Sequence, residues 1–257
     1  MSSFESIYFF LGLAAFFAGF VDAVVGGGGL IQTPALLAAY PGTAPATLFG
    51  TNKLASVVGT FSAAVQYARR VRIPWTIALP GAVAALAGAW LGARAVSVLP
   101  GEFLRPLILV LLIAVAVYTF VRKDFGQQGR STGRSKSADQ LVALLIGGGI
   151  GFYDGFFGPG TGSFLIFLFI RFCGMDFLHA SVTAKIVNVA TNLSAIGYFA
   201  LNVPLLWSLG AVMAVCNLAG AVAGSRMALR HGSGFVRKLF LGVVAVLILK
   251  LAYDLTV

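Results

Sequence analysis

Charge is what this sequence has least of. Asp and Glu together number 8 in 257 residues, and charged side chains of both signs make up 10%. A soluble domain carries about 25% charged residues because its surface faces water, so that class is excluded. Cysteine is nearly absent too. Cys173 and Cys216 stand in apolar stretches as small hydrophobes, which gives no disulfide framework. His179 and His231 lie far apart without ligand spacing, so no metal or other cofactor is expected. The first residues include Glu5 but no Lys or Arg, unlike the basic start of a cleaved signal peptide; we read them as the outer end of a first membrane helix. The net charge of +10 sits in short loops between apolar runs. It therefore marks orientation in a membrane, and no nucleic acid partner is expected.

Apolar length is what the chain has in quantity. Hydrophobic residues make up 59%, and the mean hydropathy is +0.94. A membrane span needs about 20 mostly apolar residues. Eight stretches qualify in whole or part: 6–40, 48–68, 73–96, 103–121, 140–173, 178–200, 204–225 and 235–253. The expected fold is an all-α polytopic membrane protein whose partner is the lipid bilayer. The sequence also repeats itself at a spacing of 132: Gly19-Phe20-Val21-Asp22 before Gly26 to Gly29 returns as Gly151-Phe152-Tyr153-Asp154 before Gly158-Pro159-Gly160. The same offset, without gaps, lays Lys53 on Lys185, Trp75 on Trp207, Arg94 on Arg226 and Arg105 on Arg237. Such duplicated halves are how many transporters are built, with the substrate site between them. The halves run 1–121 and 140–257, joined by a polar, Gly- and Ser-rich cytoplasmic linker at 122–139.

Loop charge orients the halves. Arg69, Arg70 and Arg72, then the linker with Arg122, Lys123, Arg130, Arg134 and Lys136, then Arg226, Arg230, Arg237 and Lys238 form three basic connections, and basic connections face the cytoplasm. The connections at 40–47 and 199–203 carry no charge, and that at 97–102 carries only Glu102; these face outward, as do both termini. The second half is then inverted relative to the first, provided that 6–40 and 140–173 each leave and return on one side. We expect both to be re-entrant hairpins turning at Gly26 to Gly29 and Gly158 to Gly162, with unequal arms, since 6–25 is long enough to span and 30–40 is not.

Few residues can carry chemistry. Non-helical backbone at membrane depth needs protein or a water-filled cavity to satisfy it, so the glycine runs point to a cavity. Helices that restart there aim free N–H groups and a positive dipole end at the break, which suits an anion. The candidate set is Gly26, Gly27, Gly28 and Gly29 with Thr33 after them, then Gly158, Gly160, Thr161, Gly162 and Ser163; close helix packing at small residues is the competing reading. Lys53 and Lys185 correspond across the repeat within apolar segments, where an ionisable group costs about 3 kcal/mol or more. They favour an anion between them, or else snorkel to headgroups. Thr51, Asn52 and Ser56 flank the first, and Thr183, Asn188 and Asn192 the second. Asp22 and Asp154 are the carboxylates set well inside apolar runs: proton carriers, charge-balancing partners of the lysines, or helix caps. Arg94 and Arg226 read as interfacial anchors, and Trp75 and Trp207 as belt residues.

The stretch Gly-Phe-Val-Asp-Ala-Val-Val-Gly-Gly-Gly-Gly-Leu-Ile with Pro34, then Gly50-Thr51-Asn52-Lys53-Leu54, then Gly-Phe-Tyr-Asp-Gly-Phe-Phe-Gly-Pro-Gly-Thr-Gly-Ser at 151–163, resembles the sulfite exporter TauE/SafE family of membrane permeases over essentially the whole chain. The resemblance implies a bacterial inner-membrane transporter of sulfite, sulfonates or related sulfur-containing anions, and carries over Gly26 to Gly29, Asn52, Lys53, Asp154, Gly158, Pro159, Gly162 and Lys185. Pro159 and Thr161 interrupt the glycine run in the second half, so the two arms need not bind equally. The reading is a secondary transporter of a small anionic substrate rather than an enzyme, with a homo-oligomer left open. An anion channel, or an intramembrane aspartyl protease using Asp22 and Asp154, is the alternative. For the protease, the expected Gly-x-Gly-Asp motif is missing before Asp22.

Overall fold

The computed structural model describes residues 3–100 and 133–256, with side chains at 5–100 and 133–231. The expected fourth segment at 103–121, and most of the linker, lie outside the described residues. Every regular element among the described residues is a helix. In chain order they are α1 (Ser3–Val25), α2 (Gly29–Ala39), α3 (Pro45–Ala68), α4 (Trp75–Val98), α5 (Lys136–Phe156), α6 (Thr161–Cys173), α7 (Phe177–Asn202) and α8 (Trp207–Thr256). The repeat is visible in their boundaries: Gly29 and Thr161, Pro45 and Phe177, and Trp75 and Trp207 each open a helix 132 residues apart.

Local chemistry sets several of these starts. α3 opens on Pro45, whose missing N–H is no loss at a helix start. Ser135 caps α5 by accepting from the N–H of Ala138 at 3.3 Å, so residues 136–139 of the expected linker form the first turn of a helix. Asp176 caps α7, accepting from the N–H groups of Leu178 at 2.9 Å and His179 at 3.1 Å, with the His179 ring at 2.5 Å. Burial raises the Asp176 pKa, but these hydrogen bonds and the imidazole outweigh it and hold the carboxyl below its ordinary value.

The two broken stretches have unequal arms, as their lengths require: 23 and 11 residues in α1 and α2, 21 and 13 in α5 and α6. α1, α4 and the Trp207–His231 part of α8 are long and apolar enough to cross a membrane. α3 and α7, at 24 and 26 residues, are comparable in length but carry Lys53, Lys185 and most of the buried amides.

α8 departs from the sequence expectation. Segments at 204–225 and 235–253 with a basic connection between them were expected, whereas the helix continues unbroken for 50 residues, about 75 Å at 1.5 Å per residue. The stretch Arg226-Met227-Ala228-Leu229-Arg230 holds strong helix formers and no proline follows it, so the helix runs on through Gly232-Ser233-Gly234 despite their poor propensity.

The halves interlock. α4, from the first half, packs along α5 and α7; α8, from the second, packs along α1 and α3. Glycine makes both contacts close: a Cβ at Gly88 would lie 2.3 Å from the carbonyl oxygen of Gly148 on α5, and one at Gly220 would lie 1.9 Å from that of Phe16 on α1. Two groups result, α1 with α3 and α8, and α5 with α7 and α4, and α3 packs on α7 between them.

Candidate functional site

The two glycine breaks pack directly on each other. Gly26 has φ of +76°, a conformation that side chains disfavour, and a Cβ there would lie 2.3 Å from the carbonyl carbon of Gly162. The N–H of Ser163 donates to the carbonyl of Gly26 at 3.1 Å, and the Ser163 hydroxyl to that of Val25 at 2.7 Å. Gly29 faces Pro159, 3.0 Å from a built Cβ to the Pro159 Cα. The second break is held by the Thr161 hydroxyl on the Gly158 carbonyl at 2.7 Å and the Tyr153 hydroxyl on the Pro159 carbonyl at 2.6 Å. The N–H groups of Leu30, Ile31, Gln32, Thr161 and Phe164 turn back onto carbonyls of the breaks. Those of Gly27, Gly28, Gly160 and Gly162 find no acceptor among the described residues. Buried donors of this kind favour a negative charge.

Both lysines reach this junction from the opposite half. Lys53 on α3 is 4% exposed, and its Nζ lies 2.6 Å from Oδ2 of Asp154 on α5, itself 2% exposed. Its amine is seated against Gly158, where a Cβ would lie 3.1 Å from Nζ. Lys185 on α7 is 3% exposed; its Nζ donates to the carbonyl of Asp22 at 3.0 Å and stands 5.1 Å over the Tyr67 ring, a cation–π distance. That carbonyl also accepts from the N–H of Gly26 at 2.8 Å. The Asp22 carboxylate takes the Thr60 hydroxyl at 3.1 Å. The expected pairing of aspartate with lysine is thus made between halves, closed at Lys53 and Asp154, open at Lys185 and Asp22.

The remaining candidates divide. Asn52 Oδ1 and Thr33 Oγ1 are buried without a hydrogen-bond partner among the described residues. Asn188 Oδ1 accepts from Thr191 and Asn192, both at 3.2 Å. Thr51 accepts the N–H of Leu206, just ahead of α8, at 3.2 Å, and Thr183 donates to the His179 carbonyl at 2.8 Å. Arg94 and Arg226 are exposed, and Trp75 and Trp207 are each 57% exposed. Sequence reasoning missed four buried groups. Gln32 accepts from Asn217 at 2.9 Å and reaches the Asn52 carbonyl at 3.5 Å; Thr60 holds Asp22; Tyr67 donates to the Ala23 carbonyl at 3.1 Å. Their one signal was a polar side chain alone in an apolar run.

A family model described as "Sulfite exporter TauE/SafE" matches residues 11–251. The chain belongs to this family. Among its relatives, "Probable membrane transporter protein ORF9" of Sinorhizobium sp is 38% identical over 247 residues, covering 96% of this chain and 93% of that protein. "Probable membrane transporter protein YfcA" of Escherichia coli K12 is 35% identical, with 93% and 87% covered. A "Probable membrane transporter protein" of Haemophilus influenzae is 32% identical, with 93% and 92% covered. No solved structure matches the chain. The protein is a multi-pass membrane transporter of the TauE/SafE family, and the junction of the two breaks brings Lys53, Asp154, Thr161 and Ser163 together as buried polar groups.

Proposed function

We propose that this transporter carries small oxyanions, with sulfite, organosulfonates and related sulfur-containing anions as the substrate class, by alternating access at the junction of the two breaks. One observation carries the reading: two buried lysines, one from each half, converge on glycine turns that present backbone N–H donors. Lys53 and Lys185 supply positive charge. The N–H groups around Gly26 to Gly29 and around Gly158, Gly160 and Gly162 cradle the oxygens. Asn52 and Asn188 orient the anion, with Thr161 and Ser163 fixing the break beneath it. Asp22 and Asp154 balance charge. The orphaned Asn52 and Thr33 oxygens support a site that water or ligand completes, since a buried group left unmade costs about 1–3 kcal/mol. Membership of the sulfite exporter family supports the sulfur chemistry.

The moving bodies differ from those the sequence suggests. Rocking of one sequence half against the other would break the long glycine contacts of α4 on α5 and of α8 on α1, so we take the two interlocked groups as the units; they meet where α3 packs on α7 and where the two breaks pack on each other, and those contacts open and re-form as the groups move. We place the protein in a bacterial inner membrane, its two halves inverted and both termini outside. Asp154 is neutralised by Lys53 at 2.6 Å, which argues against a proton-sharing aspartyl dyad.

The test is a thermal-shift panel on detergent-purified protein with sulfite, sulfate, thiosulfate, methanesulfonate and acetate, because a ligand that binds only the folded form raises its melting temperature. Sulfur oxyanions should raise it and acetate should not. A panel without any shift would overturn the reading. Counterflow of labelled sulfite in proteoliposomes, expected of a carrier, would be absent from a channel.

A further inference from the structure

The two lysine–aspartate pairs are alike in sequence and unlike in geometry. Lys53 and Asp154 are both almost fully buried and in contact at 2.6 Å. Lys185 is equally buried, but its ammonium rests on the backbone carbonyl of Asp22, and no carboxylate lies within 4.0 Å of it among the described residues. The Asp22 carboxylate is only half-buried and holds a single neutral donor, the hydroxyl of Thr60.

Charge counting gives this difference a meaning. With both lysines protonated and both carboxylates ionised, the empty centre is neutral. A monoanion entering alone would make it net negative in a medium that solvates charge poorly, which is costly. Resting on the oxyanion reading above, we infer that the anion enters together with one proton: the anion takes Lys185 as its counter-ion, and the proton goes onto the carboxylate of Asp22. The centre is neutral before and after. The proton comes from water on whichever side the site is open to, and it leaves from Asp22 when the anion leaves.

Asp154 is the poorer acceptor, because protonating it would strand Lys53 as an unpaired buried cation. Asp22 is reachable, and its loss of charge strands nothing once the anion sits on Lys185. The groups facing Asp22 from neighbouring elements are few. Lys185 comes from α7, and Thr60 and Tyr67 from α3, the Tyr67 hydroxyl donating to the Ala23 carbonyl. α2 carries no titratable side chain. α6 offers the uncharged Ser163. α8 brings Cys216 against Gly12, well up α1, and the exposed Arg226 and Arg230.

Calorimetric titration of the purified full chain with methanesulfonate, whose charge is constant across the pH range, tests this in buffers of differing ionisation enthalpy. We expect uptake of about one proton per anion and, while Asp22 is ionised in the empty protein, affinity rising about tenfold per unit of acidification. Asp22→Asn should bind with no proton uptake and no pH slope, and Lys185→Met should lose binding at every pH. Wild-type binding without proton uptake overturns the proposal, as does an Asp22→Asn variant that keeps the slope or a Lys185→Met variant that keeps the affinity. If Asp22→Asn does not fold, the wild-type proton count decides alone. Wild-type protein that binds none of the panel anions instead overturns the oxyanion reading itself.

Discussion

Lys53 and Asp154 are buried as a couple, and neither is tolerable without the other. Lys53→Met leaves a carboxylate at 2% exposure with no counter-ion, a change that costs about 3–5 kcal/mol when one partner of a buried pair is removed. Lys53→Met should therefore lower the melting temperature in detergent well below that of the Lys53→Met, Asp154→Asn double variant. Equal midpoints would show that the pair is not the contact that matters. The lysines and Asp154 were legible in the sequence because an ionisable group in an apolar run is costly enough to need a reason. Gln32 and Asn217 were not, because an isolated amide on an apolar helix reads the same whether it meets a partner or lipid. Only the fold brings residues so far apart to 2.9 Å. Asp22 and Asp154 look equivalent at their spacing, and sequence had no means of telling that one carboxylate faces Thr60 and the other Lys53.

Helix boundaries were more legible than side-chain partners, since the repeat states each twice. The breaks fall at the glycine runs because helical backbone cannot turn back on itself there with side chains present. Gly26→Ala would force φ of +76° on a residue that avoids it, at about 1–2 kcal/mol. It would also drive a methyl to within 2.3 Å of the Gly162 backbone, which has nowhere to go. We expect Gly26→Ala to give no monodisperse protein on size exclusion. Gly149→Ala, at an α5 position with nothing within 4 Å, should raise stability slightly through helix propensity; a well-behaved Gly26→Ala would remove the claim that the breaks pack in backbone contact. The continuity of α8 was not legible. Basic residues announce a membrane surface, but ending a helix takes proline, a cap or a solvated turn, and Arg226 to Arg230 supply none of these.

Interlocking of the halves is the property least visible from the chain. Periodicity reports which face of a helix is apolar, and α4 has one whichever partner covers it; only the close approach at Gly88 and Gly92 selects α5. The arrangement can be tested by disulfide. Ala84 Cβ lies 3.9 Å from a Cβ built at Gly148, close to the separation that a disulfide spans. In a background lacking Cys173 and Cys216, the Ala84→Cys, Gly148→Cys bridge joins α4 to α5 within one moving group, so counterflow of labelled sulfite should persist. A Gly50→Cys, Phe199→Cys bridge joins α3 to α7 across the sliding face and should stop it; the Cβ atoms would be 3.0 Å apart, so the helices must ease apart slightly to reach the separation of about 3.5–4.5 Å that a disulfide needs. Loss of counterflow in the first would mean that α4 and α5 separate during transport.

The exchange of α4 and α8 between the halves also governs the order in which the chain can be assembled. α1 is made long before the surface that receives Phe16 and Gly19, which Gly220 and Asn217 of α8 form. Until then α1 waits in the bilayer beside its own sequence half with Gly19 uncovered, and the contact that completes it is long-range in sequence. Assembly of this transporter therefore depends on a late long-range encounter as well as on the insertion of each helix.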